Sequence, residues 1–179
     1  MHKISLTIFL LVSYVIVVAQ RYSDSTMIIG QGHIGRVTIN MEESQLNHVF
    51  EPQMIKTEKK SSEGDEYSVI MITLKGDSKP SLELETMCMD VCVVSRIKLF
   101  SSQMQTVKKI GIGSTVAALK AAHGIASVVG GEKGIMIYTE DFDQLAFVVN
   151  VPKLKSTPGK VFEKTALPDD AIIEWIYMY

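Results

Sequence analysis

The stretch Ala171-Ile-Ile-Glu-Trp-Ile-Tyr-Met-Tyr179 ends the chain, yet it is among the most apolar segments in it. A frayed tail has no cause to be apolar, whereas a segment like this gains free energy by burying itself. Trp175, Tyr177 and Tyr179 alternate with Ile176 and Met178, the two-residue period of a strand with both faces occupied. We read it as an integral strand, paired antiparallel with 145–151, its aliphatic side in the core. Two places are then open to the aromatic side. It can be buried under a helix or against the rest of the chain. It can instead form a row on the opposite sheet face, where Trp and Tyr offer large contact area at low entropic cost. In that case Trp175, Tyr177 and Tyr179 are the candidate partner-binding residues.

A second stretch matches the first. Val93-Val-Ser-Arg-Ile-Lys-Leu-Phe100 aligns with Ile172–Tyr179 at an offset of 79, apolar against apolar at Val94/Ile173, Ile97/Ile176 and Leu99/Met178. Upstream, 37–50 aligns with 110–123 at an offset of 73, each reading as a short strand, a polar or Gly turn, and a helix with one apolar face. Strands are expected between these anchors at 67–74 and 81–87 in the first copy, and at 134–139 and 145–151 in the second. The loop 152–170, with Pro152, Pro158, Gly159 and Pro168, absorbs the drift in offset. The expected fold class is α+β: two related β-α-β-β-β units, with an antiparallel sheet and helices near 42–50 and 115–123 on one face. The expected boundaries are 1–19 for a leader, 20–106 for the first repeat unit and 107–179 for the second, the two standing apart or forming one continuous domain. Lys56 to Asp65 (KTEKKSSEGD) is polar and of mixed charge, and reads as an exposed connection.

The leader is MHKISLTIFLLVSYVIVVAQ. Lys3 is its basic start, Ile4 to Val18 its apolar stretch, and Val17 and Ala19 suit positions −3 and −1 of a cleavage site before Gln20. Its run of about 15 mostly apolar residues is short against the roughly 20 a span needs. A periplasmic or secreted protein with no membrane span after cleavage is expected. The 179 residues suit one domain or two small ones, and 46% hydrophobic content suffices for a core. A net charge of −2 supplies no basic field, so nucleic acid is not an expected partner.

Export permits a disulfide between the only two cysteines, Cys88 and Cys92. On a straight strand they would lie about 13 Å apart, beyond the ~7 Å limit for bridging. They can pair only if the chain turns at Met89-Asp90-Val91, where Asp90 is a good turn residue. A lone Cys-x3-Cys pair is a poor zinc site.

Gly111-Ile-Gly-Ser-Thr115 looks at first like a phosphate loop. It lacks the Lys of a Walker loop, and the third Gly and following acidic residue of a dinucleotide fingerprint. A turn explains it better: Gly111 and Gly113 let the backbone bend, Ser114 or Thr115 caps a helix, and Gly124 stops it. His33, His48 and His123 show no metal-binding spacing, the serines no nucleophile elbow. Asp141, Asp143, Asp169 and Asp170 read as solvated loop carboxylates. No cofactor, metal or catalytic residue is expected.

The segment 93–124, with Arg96-Ile97, Thr106 and Gly111-Ile-Gly-Ser-Thr115 followed by Leu119-Lys120, resembles exported bacterial proteins of uncharacterised, Bacteroidetes-type families. The repeated helix-then-strands order resembles the β-lactamase inhibitor protein and small envelope-assembly lipoproteins. That resemblance implies helices on one sheet face and a protein partner on the other face or an edge, but no residue matches by motif. The leading expectation is a non-enzymatic protein-binding or envelope-associated module. The alternative is a small secreted hydrolase whose site is built from scattered loop carboxylates and histidines. A pocket where titratable groups converge would favour the enzyme, and an open aromatic face the binding module.

Overall fold

The computed structural model describes residues 28–62 and 65–179; the expected leader at 1–19 lies outside them. The described chain begins with three short strands, Ile28–Gly30 (β1), His33–Ile34 (β2) and Val37–Thr38 (β3). A 3-10 turn at Glu43–Gln45 runs into the single helical turn Leu46–Val49 (α1), whose Leu46 is buried. Four strands follow: Ile55–Ser62 (β4), Asp65–Ile72 (β5), Leu82–Cys88 (β6) and Cys92–Leu99 (β7). Gln105–Thr106 (β8) pairs back onto β1 in parallel, completing a small sheet in the order β3-β2-β1-β8. The helix Val116–His123 (α2) then leads into Ser127–Gly130 (β9), Ile135–Tyr138 (β10), Leu145–Val149 (β11) and Ile173–Met178 (β12).

The main sheet has eight antiparallel strands in the order β4-β5-β6-β7-β12-β11-β10-β9. It is two four-strand meanders joined where their last strands meet, with Lys98 opposite Tyr177 and flanking pairs Leu99–Ile176 and Ile97–Met178. Shifting by 79 residues carries Ile97 to Ile176 and Leu99 to Met178, so the exchange maps this register onto itself. A single cluster of buried apolar side chains lines the covered face. It joins Ile70, Leu84 and Ile97 of the first meander, Phe147 and Ile176 of the second, Leu46 and Phe50 around α1, Val116 and Leu119 of α2, and Ile29 of the small sheet.

The structure is richer in strand than the expected α+β pattern, and it corrects the element order. Each meander has four strands after its helix, where three are expected. The missing ones are the first of each, β4 and β9. The segment expected to be an exposed connection, 56–65, contains most of β4, whose eight residues all pair with β5, from Ile55–Ile72 to Ser62–Asp65. Its charges mark a strand at the sheet's outer edge, where Lys and Glu discourage pairing with another chain. Apolar periodicity does not register such a strand. β9 is only four residues long and sits at the other edge. The strands expected to open each unit lie elsewhere. Val37–Thr38 belongs to the small sheet, and the stretch around Gly111 makes only an isolated bridge to Gln105.

The Gly111–Thr115 turn is built as a helix start. Thr115 Oγ1 accepts the Ala118 N–H at 3.2 Å, and Ser114 Oγ accepts the Gly111 N–H at 3.1 Å. Gly113 has φ +87°, and its N–H donates to the Ile173 carbonyl at 2.9 Å, tying the turn to β12. A Cβ at Gly113 would meet nothing within 4 Å, so only the backbone conformation resists a side chain. Gly113→Ala is therefore expected to cost about 1 kcal/mol, read as a shift in the denaturant midpoint at unchanged slope.

Candidate binding cleft

The uncovered face of the main sheet is concave. Lys60 of β4 and Val129 of β9, strands at opposite edges of the sheet, line one cleft of about 950 Å³. The sheet curls so that its edges form the walls. The turn at 130–134 and the segment around Pro158–Gly159 complete the β9 side. That segment extends the edge: Gly130 N–H donates to the Lys160 carbonyl at 2.7 Å, and Phe162 N–H to the Val128 carbonyl at 2.9 Å. The approach is so close at Gly130 that a Cβ would fall 2.1 Å from the Thr157 carbonyl oxygen.

Trp175, Tyr177 and Tyr179 of the last strand all line this cleft. Their strand neighbours Ile173, Ile176 and Met178 are fully buried on the other side. From Trp175 on, strict alternation divides β12, aliphatic towards the helices and aromatic towards the cleft; Ile173, in phase with Trp175, reaches the core because the ladder to β11 slips by one residue between them. Tyr177 and Tyr179 stack with ring centroids 5.9 Å apart. The neighbouring β7 does the same with different chemistry. Ile97 and Leu99 point into the core, while Arg96 and Lys98 point into the cleft. The Arg96 guanidinium lies 5.9 Å from the Tyr177 centroid, and Lys98 Nζ lies 5.2 Å from Trp175, 5.3 Å from Tyr177 and 4.9 Å from Phe100. Glu83 and Glu85 of β6 complete the floor, Glu83 paired with Lys60 at 2.6 Å and Glu85 accepting from Arg96 Nε at 2.9 Å. Sequence reasoning identified the aromatic row and missed these charged groups. The alternation of Arg96 and Lys98 with Ile97 and Leu99 was the available signal.

Burial sets the protonation behaviour of the cleft. It pushes the Lys98 ammonium below its ordinary value, with Glu83 opposing the shift. It also raises the phenols of Tyr138, Tyr177 and Tyr179, the last to about 12. The fold thus favours the neutral phenol of Tyr179. Its contribution to stability is whole below the ordinary value of 10.0 and is lost as pH rises through about 12. Alkaline titration followed by phenolate absorbance is expected to show these three tyrosines ionising late in the native protein and normally in denaturant.

The other sites anticipated from sequence lie apart from the cleft. Cys88 and Cys92 are bridged, facing each other across the β6–β7 hairpin with Cα atoms 3.9 Å apart. So short a closed loop contributes about 2 kcal/mol in the chain-entropy account. His33 Nδ1 lies 3.2 Å from the Gly35 carbonyl, and His48 sits in the last turn of α1. Asp169 pairs with Lys120 at 2.7 Å.

Asp141, expected to be merely solvated, is instead part of a clasp. Its Oδ2 lies 2.8 Å from His123 Nδ1 and 2.7 Å from Lys108 Nζ, while His123 Nε2 lies 2.8 Å from Thr106 Oγ1. These partners come from α2, β8 and the turn after β10. A hydroxyl, an imidazole and a carboxylate in a row have the layout of a hydrolytic triad. Here Thr106 is 2% and His123 3% exposed, so no substrate can reach the hydroxyl. Among the described residues, no group of three or more His, Cys, Asp or Glu side chains gathers to hold a metal ion.

No family model matches this chain, and no curated protein does. Among solved structures, it is similar to the uncharacterized protein yfeY from Escherichia coli. The TM-score is 0.59 at 13% identity, over 86% of this chain and 99% of that one. At that identity the likeness is one of fold. It extends over nearly the whole of the other chain, so the two meanders and the small sheet are compared together.

Proposed function

We propose that the protein is a non-enzymatic binding module, exported to the periplasm or beyond, whose cleft holds a protein or another envelope component. The observation that carries this reading is the aromatic row of Trp175, Tyr177 and Tyr179 in an open cleft on the sheet face the helices leave uncovered. Stiff amphipathic rings beside charged groups are the make-up of binding hot spots. Where a histidine, a carboxylate and a hydroxyl meet among the described residues, the hydroxyl and the ring are closed off, which weighs against the hydrolase alternative. Export rests on the leader, and a mature chain beginning near Gln20 is part of the proposal. We also read the two meanders as related units of a duplicated chain. The offset of 79 and the self-matching register of β7 and β12 support this.

Crosslinking in the cell envelope of the native host tests the function. The wild-type chain is expected to capture a specific partner that Tyr177→Ala loses at least tenfold while melting within a few degrees of wild type. Capture of the same partner by both proteins to the same extent would refute it.

A further inference from the structure

The cleft has spare donors and few spare acceptors. Glu83 and Glu85, its two floor carboxylates, are already engaged by Lys60 and Arg96. A cationic ligand reaching the floor would have to break one of these pairs; the third carboxylate of the cleft, Glu132, lies in the turn at its wall. Lys98 stands between Arg96 and Phe100 on the same side of β7 and has no ion pair or hydrogen bond among the described residues. Its ammonium rests on aromatic faces, and Glu83, opposite it on β6, is held by Lys60. Beside it the indole N–H of Trp175 is shut off from solvent and has no acceptor. A buried donor without a partner is costly, and so is a half-buried cation whose neighbouring carboxylate, Glu83, is held by another lysine. Both deficits sit within one residue pair and call for the same remedy, an anionic acceptor.

Resting on the reading of the cleft as a binding site, we infer that its ligand presents a carboxylate to Lys98 and is an extended acidic peptide segment. The pitch of the site favours a peptide. Trp175, Tyr177 and Tyr179 are alternate residues of one strand, so they repeat at roughly 6.6 Å, the spacing of alternate side chains in any extended chain. A peptide laid along β12 meets a ring at every second residue, and an Asp or Glu beside Tyr177 meets Lys98, its cross-strand neighbour. Lys133, beside Glu132 in the 130–134 turn, is close enough to act on the Tyr177 phenol and offers a further cation for a second acidic side chain.

Trp175 is the only tryptophan of the chain, so its emission reports on this spot alone. The protein is titrated with poly-L-glutamate and, separately, with polygalacturonate, which carries carboxylates on a saccharide backbone. Poly-L-glutamate is expected to give a saturable, salt-sensitive change in Trp175 emission, and polygalacturonate none. Lys98→Met keeps the apolar stem and is expected to weaken the response at least tenfold with no loss of melting temperature, while Lys98→Arg retains most of it. No response to poly-L-glutamate, an equal response in Lys98→Met, or binding of polygalacturonate alone would each overturn the inference. An envelope partner lost by Tyr177→Ala but held undiminished by Lys98→Met would sink the carboxylate and leave the cleft as a binding site.

Discussion

A chain truncated after Asp170 is expected to be insoluble. The missing segment is no tail: β12 is an interior strand of the main sheet, between β7 and β11. Removing it splits the sheet into two meanders and bares a strand edge on each. It also uncovers the core around Leu99 and Phe147, which Ile176 faces across the two ladders. Exposed apolar edges template pairing with other chains, so aggregation follows. The gentler form of the test is Ile176→Ala. Ile176 is fully buried, and truncating a side chain of this kind costs roughly 2–5 kcal/mol. Tyr177→Ala, on the same strand but half-exposed in the cleft, should cost less stability and more partner affinity. Equilibrium denaturation of the two variants gives the comparison. A soluble truncated chain with an unchanged melting temperature would contradict the central position of β12.

The second large effect is expected at His123. His123→Ala removes a buried ring that lies 5.0 Å from Phe142 and 6.5 Å from Phe147, and it strips the Thr106 hydroxyl of a partner. The cavity and the lost hydrogen bond together should cost about 2–4 kcal/mol. Thr106 Oγ1 also accepts the Ile110 N–H at 3.3 Å, so the loss is expected to loosen the chain entering the 111–115 turn. Asp141→Asn should cost less, because the carboxylate is partly solvated and an amide oxygen can still accept. Its carboxyl is held below the ordinary value first by the hydrogen bond from Lys108 and then by that from His123. The stability it brings is present above the ordinary value of 3.8 and is lost as acidification passes its lowered one. Denaturant midpoints for the two variants, with an acid series for the wild type, check both statements. A His123→Ala protein as stable as wild type would refute the structural role of the clasp.

Local pattern was enough to read β12, because burial on one side of a strand imposes a period of two on its sequence. Ile176 and Met178 are buried, while Trp175 and Tyr177 face the cleft; Ile173, in phase with Trp175, is buried only because the β11 ladder slips by one residue between them, which the period does not register. The start and stop of α2 were legible for a similar reason: Thr115 and Gly124 act on backbone groups a few residues away. β4 was not legible. Its eight residues are held by the β5 ladder rather than by an apolar face, and a charged edge strand has the composition of a loop. The aromatic residues could be named from the chain alone, but not their surroundings. That Lys98 faces Tyr177, that Glu83 reaches Lys60, and that Thr106, His123 and Asp141 meet depends on register between strands and on curvature. Those are properties of distant segments packed together. Side-chain periodicity specifies which face of a strand is buried. Only the assembled sheet decides which strand lies beside it, and so which charges and rings share the cleft.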